Sequence, residues 1–344
     1  MRWLLWLVAF LAALYGGYWF AGSSAVLKAT EATLAQMKAD GNADYSKVEL
    51  HGFPSRFDVT ITDPKLVSQD GLVTWSAPFV QVLALSYRPN NVIAVWPNDQ
   101  TLTLADETLS LKSSSLKASV TVSPTLSLPL DHSEMEGHDL VLSRSTEADP
   151  ALVAEKLIFA TRLATDQAGD QTANQTGDQT GTNSHQAALV VTNLAPGPAL
   201  RARIDPGNLL PEHADNAQAD VLLDFDRPLD RSATTQPPRL TGLRNIDARF
   251  GWGDIRLQAT GSLVAGIDGY AEGRLNLVAQ NWEKLFAVVK ETGLIRPDME
   301  PTIRNVLQAM AQGSGEAGTL KIPLSFTNGT IRLGPIPLGT APQF

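Results

Sequence analysis

Residues 255–280 read IRLQATGSLVAGIDGYAEGRLNLVAQ, and this stretch decides the fold. Ile255, Leu257 and Ala259 alternate with Arg256, Gln258 and Thr260, and the run passes through Gly261 to Leu263 and Ala265. Beyond Asp268-Gly269 the period resumes in Ala271, Leu275, Leu277 and Ala279. Apolar residues at every second position turn one face of an extended chain to a core and the other to water, as in an antiparallel strand. Asp-Gly between two such runs predicts a type I′ hairpin, whose two central residues need positive φ. Leu320, Ile322, Leu324 and Phe326 repeat the pattern up to Asn328-Gly329, after which Ile331 and Leu333 return.

The same period governs the chain upstream. Phe57, Val59 and Ile61 alternate before Asp63-Pro64, and Leu102 with Leu104, Leu109 with Leu111, and Leu116 through Val122 follow suit. Leu126, Leu128 and Leu130 predict a further strand, and Leu140 with Leu142 another. Two helical stripes interrupt the C-terminal strands. Trp282, Leu285, Phe286 and Val289 have Asn281 as a predicted N-cap and Gly293 as a stop, and Met299, Ile303, Val306, Leu307 and Met310 end at Gly313. Such a pair packs across a sheet or closes one end of it.

At the N-terminus nothing from Trp3 to Phe20 is charged, and the first charged side chain after Arg2 is Lys28. Eighteen helical residues rise about 27 Å, enough to cross a hydrocarbon core of about 30 Å. Trp3 and Trp6 at one end, with Tyr15, Tyr18 and Trp19 near the other, are placed as interfacial anchors. The run exceeds the roughly 7–15 residues of a signal-peptide core, which favours a retained anchor over a cleaved leader. Arg2 and the amino terminus predict a cytoplasmic N-terminus and a body outside the inner membrane, which in a Gram-negative source is the periplasm. A helical stripe through Val26, Thr30, Thr33, Leu34 and Met37 continues to Gly41-Asn42 as a stalk.

The expected organisation is therefore a transmembrane anchor over 1–21, a helical stalk over 22–43 and an N-terminal β-rich lobe over 44–164. A low-complexity, disordered loop follows over 165–186, where Gly-Asp-Gln-Thr occurs at 169–172 and again at 177–180. A C-terminal β-rich lobe with two helices covers 187–344, and the two lobes are either separate or one continuous domain. The fold class is mainly β, with a long curved antiparallel sheet or sheets, a C-terminal helical pair and an N-terminal transmembrane helix.

Composition excludes several functions. The 344 residues carry 27 Lys and Arg against 36 Asp and Glu, a net charge of −9, which is the wrong sign for coating nucleic acid. No cysteine is present, so there is no disulfide framework, thiolate metal site or cysteine nucleophile. Gly313, Gly315 and Gly318 match G-x-G-x-x-G, but a helix precedes and a strand follows, the reverse of a dinucleotide site. Ser114 and Lys117 match S-x-x-K, yet in an alternating strand they point to opposite faces. His132, Glu134, Glu136 and His138 would share one face of an extended segment and are weak candidate metal ligands, an exposed strand edge being the simpler explanation. No enzymatic activity and no cofactor are expected.

The most distinctive segment is His51-Gly52-Phe53-Pro54-Ser55-Arg56-Phe57-Asp58. Gly52 and Pro54 fix a bend, Phe53 is free to plug apolar space, and Arg56 and Asp58 lie at same-face strand spacing, able to pair. With the N-terminal anchor before it, this segment resembles the uncharacterised bacterial domain-of-unknown-function 2125 family. So does the close of the chain, Ile322 to Gly329 running into Leu333 to Gly339, and the resemblance covers essentially everything outside the low-complexity stretch. It implies a location and an architecture, with Gly52, Phe53, Pro54, Arg56, Phe57 and Asp58 as structural motif residues. The last ~150 residues, a domain-sized stretch, are similar more loosely to AsmA-type envelope proteins. That similarity implies a sheet with an apolar inner groove, and as partners the inner membrane with phospholipid or another envelope protein.

Overall fold

The structure, a computed structural model, describes residues 2–105, 107–164 and 183–344. The predicted disordered loop falls on 165–182, outside the described residues, while its predicted tail does not. Ser184 already opens a strand, because Ala187, Leu189 and Val191 set a period that extends back through His185. Two compact units make up the chain, Met1–Pro124 with Met135–Asp149, and Thr125–Glu134 with Pro150–Phe344. That division lies upstream of the low-complexity stretch.

In the N-terminal unit, α1 (Arg2–Ala39) is one unbroken helix containing both the apolar run and the stalk, and Gly41 at φ 77° follows its end. Eleven strands come next: β1 (Ala43–Asp44), β2 (Lys47–His51), β3 (Arg56–Thr62), β4 (Lys65–Val67), β5 (Val73–Ser76), β6 (Phe79–Leu85), β7 (Arg88–Trp96), β8 (Asp99–Leu104), β9 (Glu107–Lys112), β10 (Ser115–Val122) and β11 (Leu130–Arg144). They form two antiparallel ladders, β2-β3-β6-β7-β10 and β1-β4-β5-β8-β9-β11.

Successive strands pass from one ladder to the other across two-residue breaks at 63–64, 77–78, 97–98 and 113–114. Pro64, Pro78 and Pro97 lie in these breaks and cannot donate to a ladder, which is why the strands bend there. Pairing nevertheless continues through the bend. Asp63 N donates to Pro78 O at 2.9 Å, Ala77 N to Pro64 O at 3.2 Å, and Ser113 N to Asn98 O at 2.9 Å. The breaks are creases in long hairpins, not strand ends.

The predicted strand through Leu126 and Leu128 does not form. Pro124 and Pro129 bracket a turn in which Leu128 takes φ 50° and Leu126 is 92% exposed.

The C-terminal unit is a meander of β12 (Pro150–Leu163), β13 (Ser184–Pro196), β14 (Ala214–Phe225), β15 (Leu240–Trp252), β16 (Ile255–Ala265), β17 (Ala271–Gln280), β18 (Thr319–Thr327), β19 (Thr330–Leu333) and β20 (Ile336–Thr340), each antiparallel to the next. A short helix, α2 (Pro198–Ile204), follows β13, and α3 (Trp282–Glu291) and α4 (Glu300–Gln312) lie between β17 and β18. Asn328 and Gly329 take φ 49° and 68°, the expected type I′ pair.

The Asp268-Gly269 connection differs from expectation. Only Gly269 of that pair is at positive φ, 78°, and Gly269 N donates to Gly266 O at 2.9 Å, so a longer loop joins β16 to β17. Asn281 precedes α3 without a side-chain cap, because its amide donates to Asp254 O at 2.6 Å instead.

Candidate functional site

The register of the C-terminal sheet aligns residues far apart in sequence. Leu189 faces Ala219, Ala219 faces Ala248, Ala248 faces Ala259, Ala259 faces Leu277, and Leu277 faces Ile322. Directly opposed residues on antiparallel strands share a face, so these six form one row across six strands. The neighbouring row is Val191, Ala217, Phe250, Leu257, Ala279 and Leu320. Three adjacent alanines at the middle of the first row leave a depression between larger side chains.

Both ends of this face are covered. On one side α3 and α4 pack Trp282, Phe286, Ile303 and Leu307 against Ala279 and Leu320. On the other, the chain terminus brings Ala341 and Phe344 against Leu263, Ala271 and Phe326. Between them lies an open cavity of about 520 Å³, lined by the whole six-residue row together with Phe250, Leu257, Ala279 and Leu285. That size falls in the usual range of about 300–1,000 Å³ for small-molecule sites. Six strands spaced about 4.8 Å apart give the row a run of about 24 Å. The hydrocarbon of one bilayer leaflet, half of about 30 Å, is shorter.

Behind the alanines the opposite face is polar. Gln258 donates to Asp247 at 2.9 Å, and Arg249 pairs with the same carboxylate. His185, unremarkable in the sequence, lies on the apolar face in register with Leu223 and is 2% exposed. Burial pushes its imidazole below the ordinary range, which keeps this end of the face uncharged at neutral pH.

The candidate metal ligands are not brought together. His132 Nδ1 lies 2.9 Å from Asp131, and His138 Nε2 lies 3.0 Å from Glu136. Glu134 joins neither pair, and among the described residues no group of three or more His, Asp or Glu side chains is arranged to hold a metal. Ser114 hydrogen-bonds Asp139 at 2.6 Å, so its short bond runs to that carboxylate and not along the strand to Lys117.

A family model described as an uncharacterized protein conserved in bacteria (DUF2125) matches residues 19–342. The chain belongs to the DUF2125 family. Among curated proteins nothing matches it. In this DUF2125 member the matched region opens at Trp19, the residue on which the distinctive segment closes. Trp19 Nε1 donates to Arg56 O at 2.9 Å, and its ring meets Phe53 edge-on at 5.2 Å. Phe57, 5% exposed, lies against Trp19 at 6.1 Å.

Gly52 sits at φ 106°, and a Cβ there would come 2.7 Å from Arg56 O, so this turn needs glycine. The Phe53–Pro54 peptide is cis, and Arg56 pairs with Asp58 as the spacing predicts. In this DUF2125 protein the segment is a socket for α1. Phe53, expected to plug apolar space, packs on the aromatic side of α1, stacked on Phe20 at 5.7 Å, while staying 57% exposed.

Proposed function

We propose that this is a non-enzymatic envelope protein, anchored in the inner membrane by α1, that holds a lipid acyl chain in the alanine-floored trough of its C-terminal sheet. The observation that carries this is the unbroken apolar row from Leu189 to Ile322, open to solvent at Leu189 and flanked on β17 and β18 by α3 and α4 on one side and the chain terminus on the other. An apolar surface kept open by three small residues is what a flexible hydrocarbon needs; Gln218, Arg249 and Gln258 also border the cavity, but strand alternation turns their side chains to the opposite face. Among the described residues one helix, α1, is long and apolar enough to span a membrane, which supports single-pass anchoring. The basic N-terminal end favours a cytoplasmic N-terminus and a periplasmic body. The looser likeness to AsmA-type proteins points the same way.

The test uses full-length protein in cells fed a diazirine-bearing fatty acid, with cross-linked peptides mapped after irradiation. Label is expected on peptides containing Ala219, Ala248 and Ala259. Replacing Ala219 and Ala259 together by tryptophan should cut it at least about tenfold, an affinity change of about 1.4 kcal/mol. Label confined to α1, or unchanged by the two tryptophans in a protein that melts normally, overturns the proposal.

A second reading, a scaffold for another envelope protein, is favoured by β20. Its five residues are all exposed, with Ile336 and Leu338 at the sheet edge, although Pro337 withholds one donor. A single protein cross-linked through Leu338, without lipid label in the trough, would select it.

A further inference from the structure

We infer that the turns at Gly52–Ser55 and Ser86–Tyr87 are seated in the membrane interface beside α1, so that the N-terminal unit rests on the bilayer. This rests on α1 being the membrane anchor, and concerns a surface remote in sequence from the trough. Three side chains of α1, at positions 15, 18 and 19, hold these turns. Tyr15 Oη lies 2.9 Å from Ser86 Oγ, Tyr18 donates to Ser86 O at 2.7 Å, and Trp19 donates to Arg56 O at 2.9 Å. All three belong to the uncharged run that ends at Phe20.

Depth follows from helix geometry. At 1.5 Å per residue Tyr15 lies about 7.5 Å before Phe20 along the axis, inside the length needed to cross the hydrocarbon. A turn hydrogen-bonded to that tyrosine cannot stand clear of the bilayer that its helix crosses. Ser86 itself is completely buried, and its hydroxyl pairs with Tyr15, its carbonyl accepts from Tyr18 and its N–H donates to Ser55 O at 2.9 Å, so its polar atoms are satisfied at that depth.

What the turns present outward agrees. Phe53 is 57% exposed, Tyr87 62% and Leu85 37%, three large side chains gathered where the strands meet the span. Arg56 and Arg88, both exposed, begin β3 and β7 just on the body side, and both are in register with Leu85. Aromatic side chains at the boundary with basic ones behind them are the arrangement of an interfacial anchor facing lipid headgroups. Gly22 completes the fit. A Cβ there would come 2.9 Å from the Phe57 ring, so α1 lies close on β3 just beyond the span and holds the turns at fixed depth.

The absence of cysteine makes the test direct. Single variants Phe53→Cys, Tyr87→Cys and Gln69→Cys, the last an exposed position in the turn between β4 and β5, carry an environment-sensitive fluorophore in full-length protein reconstituted into phosphatidylethanolamine–phosphatidylglycerol vesicles. Labels at 53 and 87 should be quenched several-fold more by a shallow doxyl-lipid than by aqueous iodide, with the reverse order at 69. Iodide quenching equal at all three sites, in protein that resists alkaline extraction from the vesicles, overturns the seating and leaves the anchor standing. Protein released by alkaline extraction overturns both.

Discussion

Gly261→Ala is expected to destabilise the C-terminal unit by about 2–6 kcal/mol, combining backbone strain with overpacking. Gly261 adopts φ 150°, and a Cβ on it would sit 2.1 Å from Arg274 O. Gly273 on the facing strand is its counterpart, at φ 143° with a virtual Cβ 2.2 Å from Ser262 O. The two glycines let β16 and β17 approach where neither backbone leaves room for a side chain. Each kcal/mol lowers the melting temperature of a unit this size by about 2–4 °C, so a loss of roughly 4–24 °C should appear in a circular-dichroism melt. Because both substitutions push the same strands apart, the double variant should lose less than the sum. Gly269→Ala is the control: at φ 78° it has open space around it, leaving only the conformational penalty of about 1 kcal/mol. A Gly261→Ala protein that melts with the parent would refute the close-approach explanation.

Asp224→Ala is the second large loss, about 3–5 kcal/mol, because it removes the carboxylate that pairs with a buried guanidinium. Arg244, 9% exposed, reaches both oxygens of Asp224, with its terminal nitrogen at 2.7 Å, and Ser184 donates to the same carboxylate. Burial opposes ionisation of Asp224, but hydrogen bonds from Arg244 and Ser184 and the attraction of the guanidinium outweigh it, holding the carboxyl below its ordinary 3.8. A carboxyl depressed in the folded state contributes stability above its unfolded value and loses it as pH falls through the folded one. The parent should therefore lose stability below about pH 4. Asp224→Ala should show a shallower acid limb, and Asp224→Leu with Arg244→Met should recover most of the loss. Parallel acid limbs in parent and single variant would assign acid sensitivity to other carboxylates.

What the sequence made legible was local. The alternation in 255–280 and 320–333, the Asn328-Gly329 turn, the two helical stripes and the continuous N-terminal helix depend on neighbours within a few residues, and each formed. The Arg56–Asp58 pair, two residues apart, was legible for the same reason. The trough was not. Ala219, Ala248 and Ala259 are unremarkable small residues until pairing register sets them side by side, and only the register distinguishes a depression from a filled core. Ser184, Asp224 and Arg244 are likewise assembled across three strands.

Asp63-Pro64 signalled a strand end to a local pattern, whereas hydrogen bonding carries the ladder through the crease there, as it does at 77–78 and 97–98. The His132–His138 segment had the same-face spacing a metal site needs, but each histidine is satisfied by an acidic residue one or two positions away.

The order of pairing in the C-terminal meander bears on how the chain is made. From β12 to β20 every strand partners its immediate successor. A chain synthesised from its N-terminus can lay each strand on the previous one as it emerges, without waiting for a distant segment. Four of the eight connections, β15 to β16, β16 to β17, β18 to β19 and β19 to β20, have five residues or fewer, so those additions forfeit little chain entropy before their hydrogen bonds form. The longest connection is the return across α3 and α4 to β18, where the growing edge of β17 must stay open for 38 residues between Gln280 and Thr319. Assembly should pause there, with an unpaired strand exposed, and the helical pair is the part of the molecule positioned to cover its apolar face meanwhile.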